Sequence, residues 1–262
     1  MLQLSALRCL PAVCSDRDLE MQPLTPECLE LGSQQERETH PSELHGRRRG
    51  RKLSGRQTLL LHTALPRLSL DVSRPISDIE SLFPGKLSTL WLEIGIGGGE
   101  HLAAEAKAHP DAGYIGCEFF LNGIAKTLVL IEADQLHNLR LHDGDARDLI
   151  EALPPASLDG AYLLYPDPWP KRRHRERRFL TQETLDRLAR VMRQGAEIRF
   201  ATDIDSNASW TLAQVLRADK FSWNPSRGED WRLPWEGWTP TRYEAKALRS
   251  GRRPVYFTFL RK

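Results

Sequence analysis

From Leu87 to the end of the chain, short apolar runs alternate with longer mixed segments, and several of the runs end in glycine or an acid. Apolar, partly β-branched runs predict buried strands, and the segments between them predict helices. Strands are predicted to end at Ile94, Glu118 and Asp143 and to span 158–165 and 196–201, with helices from Glu100 and over 121–133, 181–192 and 206–218. This alternation indicates an α/β fold whose mostly parallel sheet is covered by helices on both faces. The last run, 255–260, alternates apolar and polar residues and is predicted to be an antiparallel edge strand.

The first 45 residues differ in composition from the rest. They mix Pro, Ser, Gln, Glu and Arg without periodicity, and we expect a disordered N-terminal extension over 1–45. Residues 46–262 are predicted to form one domain, because a chain of 262 residues that is 40% hydrophobic can bury one substantial core. Within it, residues 57–84 are broken by prolines and are expected to be a lead-in that packs against the domain. Met1 and Met21 both remain open as the natural start.

A glycine-rich turn follows the first predicted strand. Glu93 precedes Gly95, Gly97 and Gly99, and a predicted helix begins directly after them. Glycine permits positive φ and close approach of a ligand to the backbone, and the helix N-terminus offers free N–H groups. A dinucleotide-binding turn would need a sixth-position glycine, where Glu100 stands. The turn therefore predicts a site for a different nucleoside-containing cofactor, the alternative being an ordinary loop.

Acids follow the next two predicted strands. Glu118 has roughly the twenty-residue spacing of a carboxylate that accepts from both hydroxyls of a ribose. Asp145, after the third strand, is placed to accept from an adenine amino group. Each acid alone is equally well explained as a solvated strand end. Because the carboxyl ends of parallel strands form the ligand-binding edge of such sheets, the series of acids favours the functional interpretation.

The fourth predicted strand ends in a proline-rich segment, Tyr165-Pro-Asp-Pro-Trp-Pro-Lys171. Three prolines in five positions fix φ and predict a stiff loop, which suits a site that must hold a planar base in place. Asp167 would lie beside the cofactor, and Trp169 offers a stacking face. The alternative is a proline-rich surface turn, but the basic residues that follow directly favour a functional loop.

The sequence contains two strongly basic runs, although the formal net charge of the whole chain is only +2. The first spans 47–52, and the second, 171–178, has six Lys or Arg in eight residues. Such clusters suggest a polyanionic partner. A solvated helix face would instead pair opposite charges, and in the second run only Glu176 is available for that. A loop that holds a base, followed by a segment that binds phosphates, is typical of nucleic-acid recognition.

The cysteines and apolar content exclude several classes of protein. The four cysteines, Cys9, Cys14, Cys28 and Cys117, contain no Cys-x-x-Cys pair, so no metal is expected, and Cys117 is predicted to be a small core residue. No apolar span is long enough to cross a membrane, and residues 1–14 make a poor signal peptide. We therefore expect a cytoplasmic protein without a membrane partner, either a monomer or a homodimer.

Over residues 46–262 the chain resembles the bacterial tRNA (guanine-N7-)-methyltransferase family. The motifs that carry the resemblance are GRRRGRK (46–52), LEIGIGGG (92–99), GCEF (116–119), PDPWPK (166–171) with its basic tail, ATD (201–203) and TRYE (241–244). The resemblance implies a Rossmann-like class I S-adenosylmethionine-dependent methyltransferase fold with a mostly parallel seven-stranded sheet. It also implies transfer of a methyl group from S-adenosylmethionine to N7 of guanosine-46 in the variable region of tRNA. One departure is Pro170, which stands where His is common in the family.

The resemblance further implies a role for each matching residue. The implied cofactor contacts are Glu93, Gly95, Gly97, Gly99, Glu118, Asp145 and Asp167, and Asp167 is also the candidate catalytic residue. On the substrate side are Lys171, Asp203, Thr241, Arg242, Tyr243 and Glu244. The implied RNA contacts are Arg173, His174, Arg175, Glu176, Arg177 and Arg178.

The expected chemistry needs no nucleophilic side chain, because guanine N7 already presents a lone pair. Catalysis would rest on orientation of the reactants and on carboxylates that face the moving positive charge. Asp167 can act as a base, as an acceptor from guanine or only as a cofactor ligand, and the sequence does not choose between these roles. Asp203 is placed to accept from guanine N1–H or N2–H. Which tRNAs are substrates also stays open.

Two other functions are compatible with parts of this pattern. A methyltransferase of exocyclic amino groups, on adenine N6 or a protein amide, would place two prolines between acid and aromatic, whereas Asp167-Pro168-Trp169 has one. A non-catalytic RNA-binding protein on the same fold would have no need of the intact glycines and acids.

Overall fold

The computed structural model describes residues 46–262. They form a seven-stranded sheet with the order β3-β2-β1-β4-β5-β7-β6. The strands are β1 (Leu90–Ile94), β2 (Gly113–Cys117), β3 (Leu139–His142), β4 (Leu158–Leu164), β5 (Met192–Thr202), β6 (Phe221–Ser222) and β7 (Val255–Arg261). Strands β1 to β5 are mutually parallel, and β7 runs antiparallel to both β5 and β6. The predicted α/β architecture is therefore confirmed.

The strand order reverses at β1, which pairs with β2 on one side and with β4 on the other. In open parallel sheets this arrangement leaves a crevice at the carboxyl ends of the two central strands, where ligands bind. The loops that follow β1, β2, β3 and β4 all begin at this edge. The candidate acids after those strands are thus brought to one end of the sheet.

Helices cover both faces of the sheet. They are α1 (Gly55–Thr63), α2 (Leu65–Leu68), α3 (Glu100–Ala108), α4 (Leu121–Asp134), α5 (Ala146–Ala152), α6 (Gln182–Val191), α7 (Asp205–Arg217), α8 (Glu229–Arg232) and α9 (Arg242–Arg249), with 3₁₀ turns at Glu80–Leu82 and Arg172–Arg177. One hydrophobic core includes Leu149, Leu185 and Val215 of α5, α6 and α7. A second, on the other face, includes Leu102 and Leu128 of α3 and α4. Strands buried on both faces explain why β1 and β2 are apolar almost throughout.

The predicted strands and helices are present with ends shifted by a few residues, and β5 begins four residues earlier than predicted. One prediction is wrong: the strand over 255–260 is antiparallel but not an edge strand. The two-residue strand β6 pairs with its outer side and forms the edge. A strand as short as β6 leaves no periodic signal in the sequence. The helices α1, α2, α5, α8 and α9 were not predicted either.

The lead-in segment folds as α1 and α2 and packs on α4, as expected for residues 57–84. Ser54 caps α1 in a reciprocal capping box with Gln57. Leu60 is 5% exposed and joins the second core, whereas Leu59 next to it is 60% exposed. Residues 1–45, including the predicted disordered extension and three of the cysteines, lie outside the described residues. No helix in the described part of the chain is long and apolar enough to cross a membrane.

Replacing Leu60 by Ala should destabilise the domain by roughly 2–5 kcal/mol, because it removes buried methyl groups and leaves a cavity between α1 and α4. Leu59→Ala is the matched control on the same helix and should change stability by no more than about 0.5 kcal/mol. Urea unfolding of the three proteins measures both effects. Equal losses in the two variants would contradict the docking of α1 through Leu60.

Candidate cofactor and substrate site

A cavity opens at the carboxyl ends of β1, β2 and β3. It brings together four residues predicted as cofactor contacts, Gly95, Glu118, Asp145 and Asp167. The other residues around it are Ile94, Cys117, Phe119, Gly144, Ala146, Arg147, Trp169, Arg177 and Phe179. Four carboxyl-edge loops thus meet at a single cavity, at the position that the strand order predicts.

Gly95 of the glycine turn lines the cavity, whereas Gly97 and Gly99 of the same turn are not among the lining residues. Gly95, Gly97 and Gly99 have φ values of 75°, 59° and 77°, a left-handed conformation that side chains with a Cβ rarely adopt. A Cβ on Gly95 would project into open space, so its absence widens the cavity. A Cβ on Gly123 of α4 would lie 2.1 Å from the carbonyl oxygen of Gly97. The turn therefore lies directly against α4.

Glu118 joins the glycine turn to the loop after β2. Its Oε2 accepts a hydrogen bond from the backbone N–H of Gly97 at 2.8 Å, and its Oε1 accepts from Phe120 at 2.8 Å. Burial raises the pKa of the Glu118 carboxyl, and the charge of Asp167 adds to that rise, while the backbone donors oppose it. Each carboxylate oxygen has a second lone pair. Glu118 can therefore hold the turn and still accept from the hydroxyls of a ribose.

Asp145 is both a lining residue and a helix cap. It precedes α5 and accepts from the backbone N–H of Arg147 at 2.9 Å, which satisfies a free donor of the first turn. The Arg147 guanidinium contacts the same carboxylate at 3.3 Å. The cap fixes the direction of the side chain at the end of β3.

Glu93 lies apart from the other predicted cofactor contacts. Its carboxylate is buried and accepts from Nδ1 of His101, 2.8 Å away in the first turn of α3. Burial acts to lower the pKa of His101, but the Glu93 and Glu105 carboxylates outweigh it, so that the pKa lies above its ordinary value. Glu93 is not among the residues that line the cavity. The structure places it behind the glycine turn.

The proline-rich loop after β4 is strained at both ends. Tyr165 and Trp169 have φ values of 50° and 41°, which for residues other than glycine cost of order 1–3 kcal/mol each. Strain of this kind concentrates at functional sites. Between these two residues, Asp167 is exposed at the rim of the cavity, close enough to Glu118 to raise its pKa.

The basic run after the loop forms a 3₁₀ turn over Arg172–Arg177 whose side chains differ in environment. The Arg177 guanidinium lies 5.0 Å from the centre of the Trp169 ring and lines the cavity, and the His174 ring meets the same tryptophan edge-on at 5.9 Å. The exposed members of the run are Lys171, Arg172, Arg173, Arg175 and Glu176. These residues are available to a polyanion.

Arg178 contradicts its predicted place on the RNA. It is 4% exposed, and its guanidinium donates to the carbonyl oxygens of Pro168 at 2.8 Å and Ser206 at 3.1 Å. The chain turns inward after the 3₁₀ turn to reach Leu180 in the core, and it takes Arg178 with it. A buried guanidinium cannot bind a phosphate in solution.

The substrate-side residues differ in exposure: Lys171, Arg242 and Tyr243 are exposed, Asp203 is half-buried, and Thr241 and Glu244 are buried. Asp203, just after β5, forms a 2.5 Å ion pair with Arg252. Thr241 is buried and caps α9. Glu244 is also buried and accepts from Trp238 Nε1 and the Tyr256 hydroxyl, both at 2.6 Å.

Arg242 and Tyr243, between those two buried residues, reach the glycine turn. A Cβ on Gly97 would lie 3.2 Å from Arg242 Nη2 and 3.5 Å from a Tyr243 ring carbon. The segment thus presents its two middle side chains to the cofactor turn, and its two end residues anchor the helix.

Sequence analysis assigned no specific role to Arg48. Its guanidinium donates to the Phe119 carbonyl at 2.8 Å and to the Asp143 carboxylate at 2.7 Å, and so joins the loops after β2 and β3. Arg48 lies within a run of arginines, so composition alone could not distinguish it from its neighbours. The cavity-lining aromatic residues Phe119 and Phe179 also have no distinguishing pattern in the sequence.

Cys117 lies buried in β2, as predicted, and burial raises the pKa of its thiol, which keeps it neutral. Among residues 46–262, no group of three or more His, Cys, Asp or Glu side chains is arranged to hold a metal ion.

The sequence is similar to known methyltransferases over most of its length. A family model described as "Putative methyltransferase" matches residues 88–257. A tRNA (guanine-N(7)-)-methyltransferase of Mesorhizobium japonicum is 48% identical over 232 residues, which cover 88% of this chain and all of the relative. A protein of the same name from Bartonella quintana is 48% identical over 227 residues, 85% of this chain and 97% of the relative.

Among solved structures, the chain is similar to the 16S rRNA methyltransferase KamB, with a TM-score of 0.47 and 18% identity over 68% of this chain and 90% of that one. An rRNA methylase from Streptococcus thermophilus gives a TM-score of 0.46 at 12% identity, over 67% and 88% of the two chains. Similarity at this level carries no information about the substrate.

The raised pKa of Glu118 predicts how cofactor binding depends on pH. The ionised carboxylate is the form that accepts from a ribose, so affinity for S-adenosylmethionine should fall as the pH is lowered through this pKa. The fall should begin above the ordinary value of 4.5. Glu118→Gln should bind about 1–3 kcal/mol more weakly at neutral pH and lose this dependence. Titration calorimetry of both proteins measures it, and a parent affinity that is constant down to the ordinary value would contradict the assignment.

Proposed function

This chain belongs to the family of bacterial tRNA (guanine-N(7)-)-methyltransferases, and we propose that its target is guanosine-46 in the variable region of tRNA. The reaction, transfer of a methyl group from S-adenosylmethionine to N7 of a tRNA guanine, follows from that membership. The observation that carries it is the 48% identity to a relative of this name over 88% of this chain and all of the relative. The position of the target nucleoside rests on the motif resemblance alone.

The cavity suits the cofactor that the family uses. Gly95 leaves room beside the backbone, Glu118 offers its remaining lone pairs to a ribose diol, and Asp145 is held at the far strand end for the adenine amino group. The carboxylates of Glu118 and Asp167 also make this edge of the sheet negative. The chemistry that S-adenosylmethionine brings to the site is an electrophilic methyl group on a positively charged sulfur.

The protein's contribution to the reaction is orientation and charge. Guanine N7 needs no proton removed, so a carboxylate at the rim of the cavity has no obligatory role as a base. We assign this position to Asp167, whose negative charge would stabilise the positive charge as it passes to the purine. The positive φ values of Tyr165 and Trp169 set the path of the loop that carries this residue.

The guanine would enter between the loop that carries Asp167 and the loop that carries Asp203. Arg252 fixes the Asp203 carboxylate at 2.5 Å, which leaves its other oxygen to accept from guanine N1–H or N2–H. Arg242 and Tyr243 close the side of the glycine turn, and Lys171 lies exposed on the solvent side. An acceptor at this place would favour guanine over adenine, which has no N1–H.

Two basic segments flank the cavity and are proposed as the tRNA-binding surface. One is the exposed part of the run 171–176. The other is 47–52, which Arg48 fastens to the loops after β2 and β3. Hydrogen bonds of Gly50 and Arg51 with Asn122 fasten the same segment to the start of α4. The exposed side chains of this second segment are Arg47, Arg49, Arg51 and Lys52. Cations on both sides of the cavity would centre the tRNA backbone over the site.

The domain boundaries and the location of the enzyme are part of the same proposal. We propose that residues 46–262 are the catalytic domain and that 1–45 are an extension outside it. We place the enzyme in the cytoplasm because its tRNA substrate is there. The alternative functions are methylation of an exocyclic amino group and RNA binding without catalysis. The product analysis described below distinguishes both from methylation at N7.

Incubation of the enzyme with a tRNA transcript and S-adenosylmethionine should yield 7-methylguanosine at position 46 of the tRNA. Borohydride–aniline treatment should then cleave the tRNA at this position. A transcript with adenosine at position 46 should not be cleaved. Asp167→Asn keeps the shape of the side chain without its charge and should slow the single-turnover rate by about 10²-fold or more, with nearly unchanged tRNA affinity. Methyl label in N6-methyladenosine, or cleavage at another guanosine, would contradict the proposal.

Replacement of Arg172, Arg173 and Arg175 by Ala should weaken tRNA binding and lower the slope of log affinity against log salt by roughly 0.7–0.9 for each lost phosphate contact. Arg217→Ala is the matched control, because this exposed arginine ends α7 at the opposite edge of the sheet. Filter binding over a range of salt concentrations gives both slopes. An unchanged slope in the triple variant would make the run a solvated surface.

A further inference from the structure

Arg178 belongs to the second basic run, but it is buried and the proposed RNA surface does not use it. It ends the run, yet only 4% of it is exposed. Its Nε donates to the Pro168 carbonyl oxygen at 2.8 Å, and its Nη1 donates to the Ser206 carbonyl oxygen at 3.1 Å. The Cζ atom of its guanidinium lies over the Trp210 ring, 5.2 Å from the ring centre.

No carboxylate in the described part of the chain forms an ion pair with Arg178. Burial lowers the pKa of its guanidinium, and nearby Arg175 lowers it further. Burying a cation without an opposite charge is costly unless its donors are satisfied. Here the carbonyl oxygens of Pro168 and Ser206 accept hydrogen bonds from the guanidinium, and the Trp210 ring lies beside it. These groups compensate the positive charge that a carboxylate would otherwise neutralise. A guanidinium that is buried without a carboxylate partner indicates a position at which the planar shape of the group is required.

One carbonyl group belongs to the loop that holds Asp167, and the other belongs to the first turn of α7, directly after the loop that holds Asp203. Pro168 directly follows Asp167 at the end of β4, and Ser206 lies three residues after Asp203 at the end of β5. One rigid planar group thus spans the gap between the Asp167 loop and the start of α7, next to the Asp203 loop. The gap is also where the proposed guanine would enter.

We infer that Arg178 is a positioning residue, which sets the separation of Asp167 and Asp203 and so the orientation of the guanine toward the methyl donor. This inference rests on the proposed function. It assigns Arg178 to catalysis through the two loops and removes it from the tRNA phosphate contacts. A guanidinium meets the requirement because its fork of donors is planar and fixed, whereas an ammonium is a point charge on a flexible stem.

The test compares three variants with the parent enzyme. Arg178→Ala should lower the single-turnover rate at saturating tRNA and cofactor by up to about a hundredfold, the loss expected from a misplacement of about 1 Å. Its tRNA affinity and salt slope should stay at parent values. Arg175→Ala should show the contrasting result, a salt slope lower by roughly 0.7–0.9. Arg217→Ala serves as the control for loss of an arginine from the α7 side of the molecule.

Two further measurements separate positioning from folding. Methylguanidinium added to Arg178→Ala should occupy the space left by the missing side chain and restore part of the rate. It should not accelerate the parent or Arg217→Ala. Arg178→Lys keeps the charge and most of the packing, and it should fold even where the alanine variant does not. Its melting temperature should be near that of the parent, with a rate well below it.

Each outcome decides the question. A salt slope that falls in Arg178→Ala as it does in Arg175→Ala would make Arg178 a phosphate ligand and overturn the inference. A parent-like rate in Arg178→Lys would do the same, because a fixed planar group would then be unnecessary. If the parent itself formed no 7-methylguanosine, the proposed function would fail. An active parent with a fully active Arg178 variant would overturn the positioning role alone.

Discussion

The carboxylate of Glu118 accepts two backbone N–H groups, from Gly97 and from Phe120, and much of the site depends on this pair of hydrogen bonds. They join the turn after β1 to the turn after β2, across the position where the strand order reverses. Without them, the backbone N–H of the left-handed Gly97 would lose the acceptor that ties it to the end of β2. The same carboxylate is the predicted ribose acceptor, so one side chain both shapes the cavity and would contact the cofactor.

Much of the fold could be predicted from the sequence, because buried parallel strands are apolar throughout and each ends in a recognisable turn. The carboxyl-edge residues Gly95, Glu118, Asp145 and Asp167 were predicted for the same reason, and the structure brings them together. Local sequence could not reveal which members of a charged run turn inward. Arg175 and Arg178 belong to one run, and only the packing of distant α7 distinguishes them.

Glu93 and Glu244 illustrate a second limit of sequence reasoning. Both were predicted as ligand contacts, and both lie in a buried network behind the cavity. Glu93 accepts from His101, whose ring lies 4.9 Å from that of Trp238, and the Trp238 indole N–H donates to Glu244. The network connects the start of α3 with the start of α9, far apart in sequence. A charge in a motif therefore indicates importance without saying whether ligand or scaffold requires it.

Gly123 shows what close packing against the cofactor turn demands of a helix. Glycine within a helix is about 1 kcal/mol less favourable than alanine, yet α4 has it where a methyl group would collide with the Gly97 carbonyl. Glycine at this position lowers the helix propensity of α4, but it allows the helix backbone to approach the Gly97 carbonyl more closely than a residue with a Cβ would. In a survey of all single substitutions, position 123 would rank with the turn glycines in intolerance, although nothing in its local secondary structure marks it. Alanine at this position would raise the intrinsic helix propensity of α4 and at the same time displace the glycine turn from the helix.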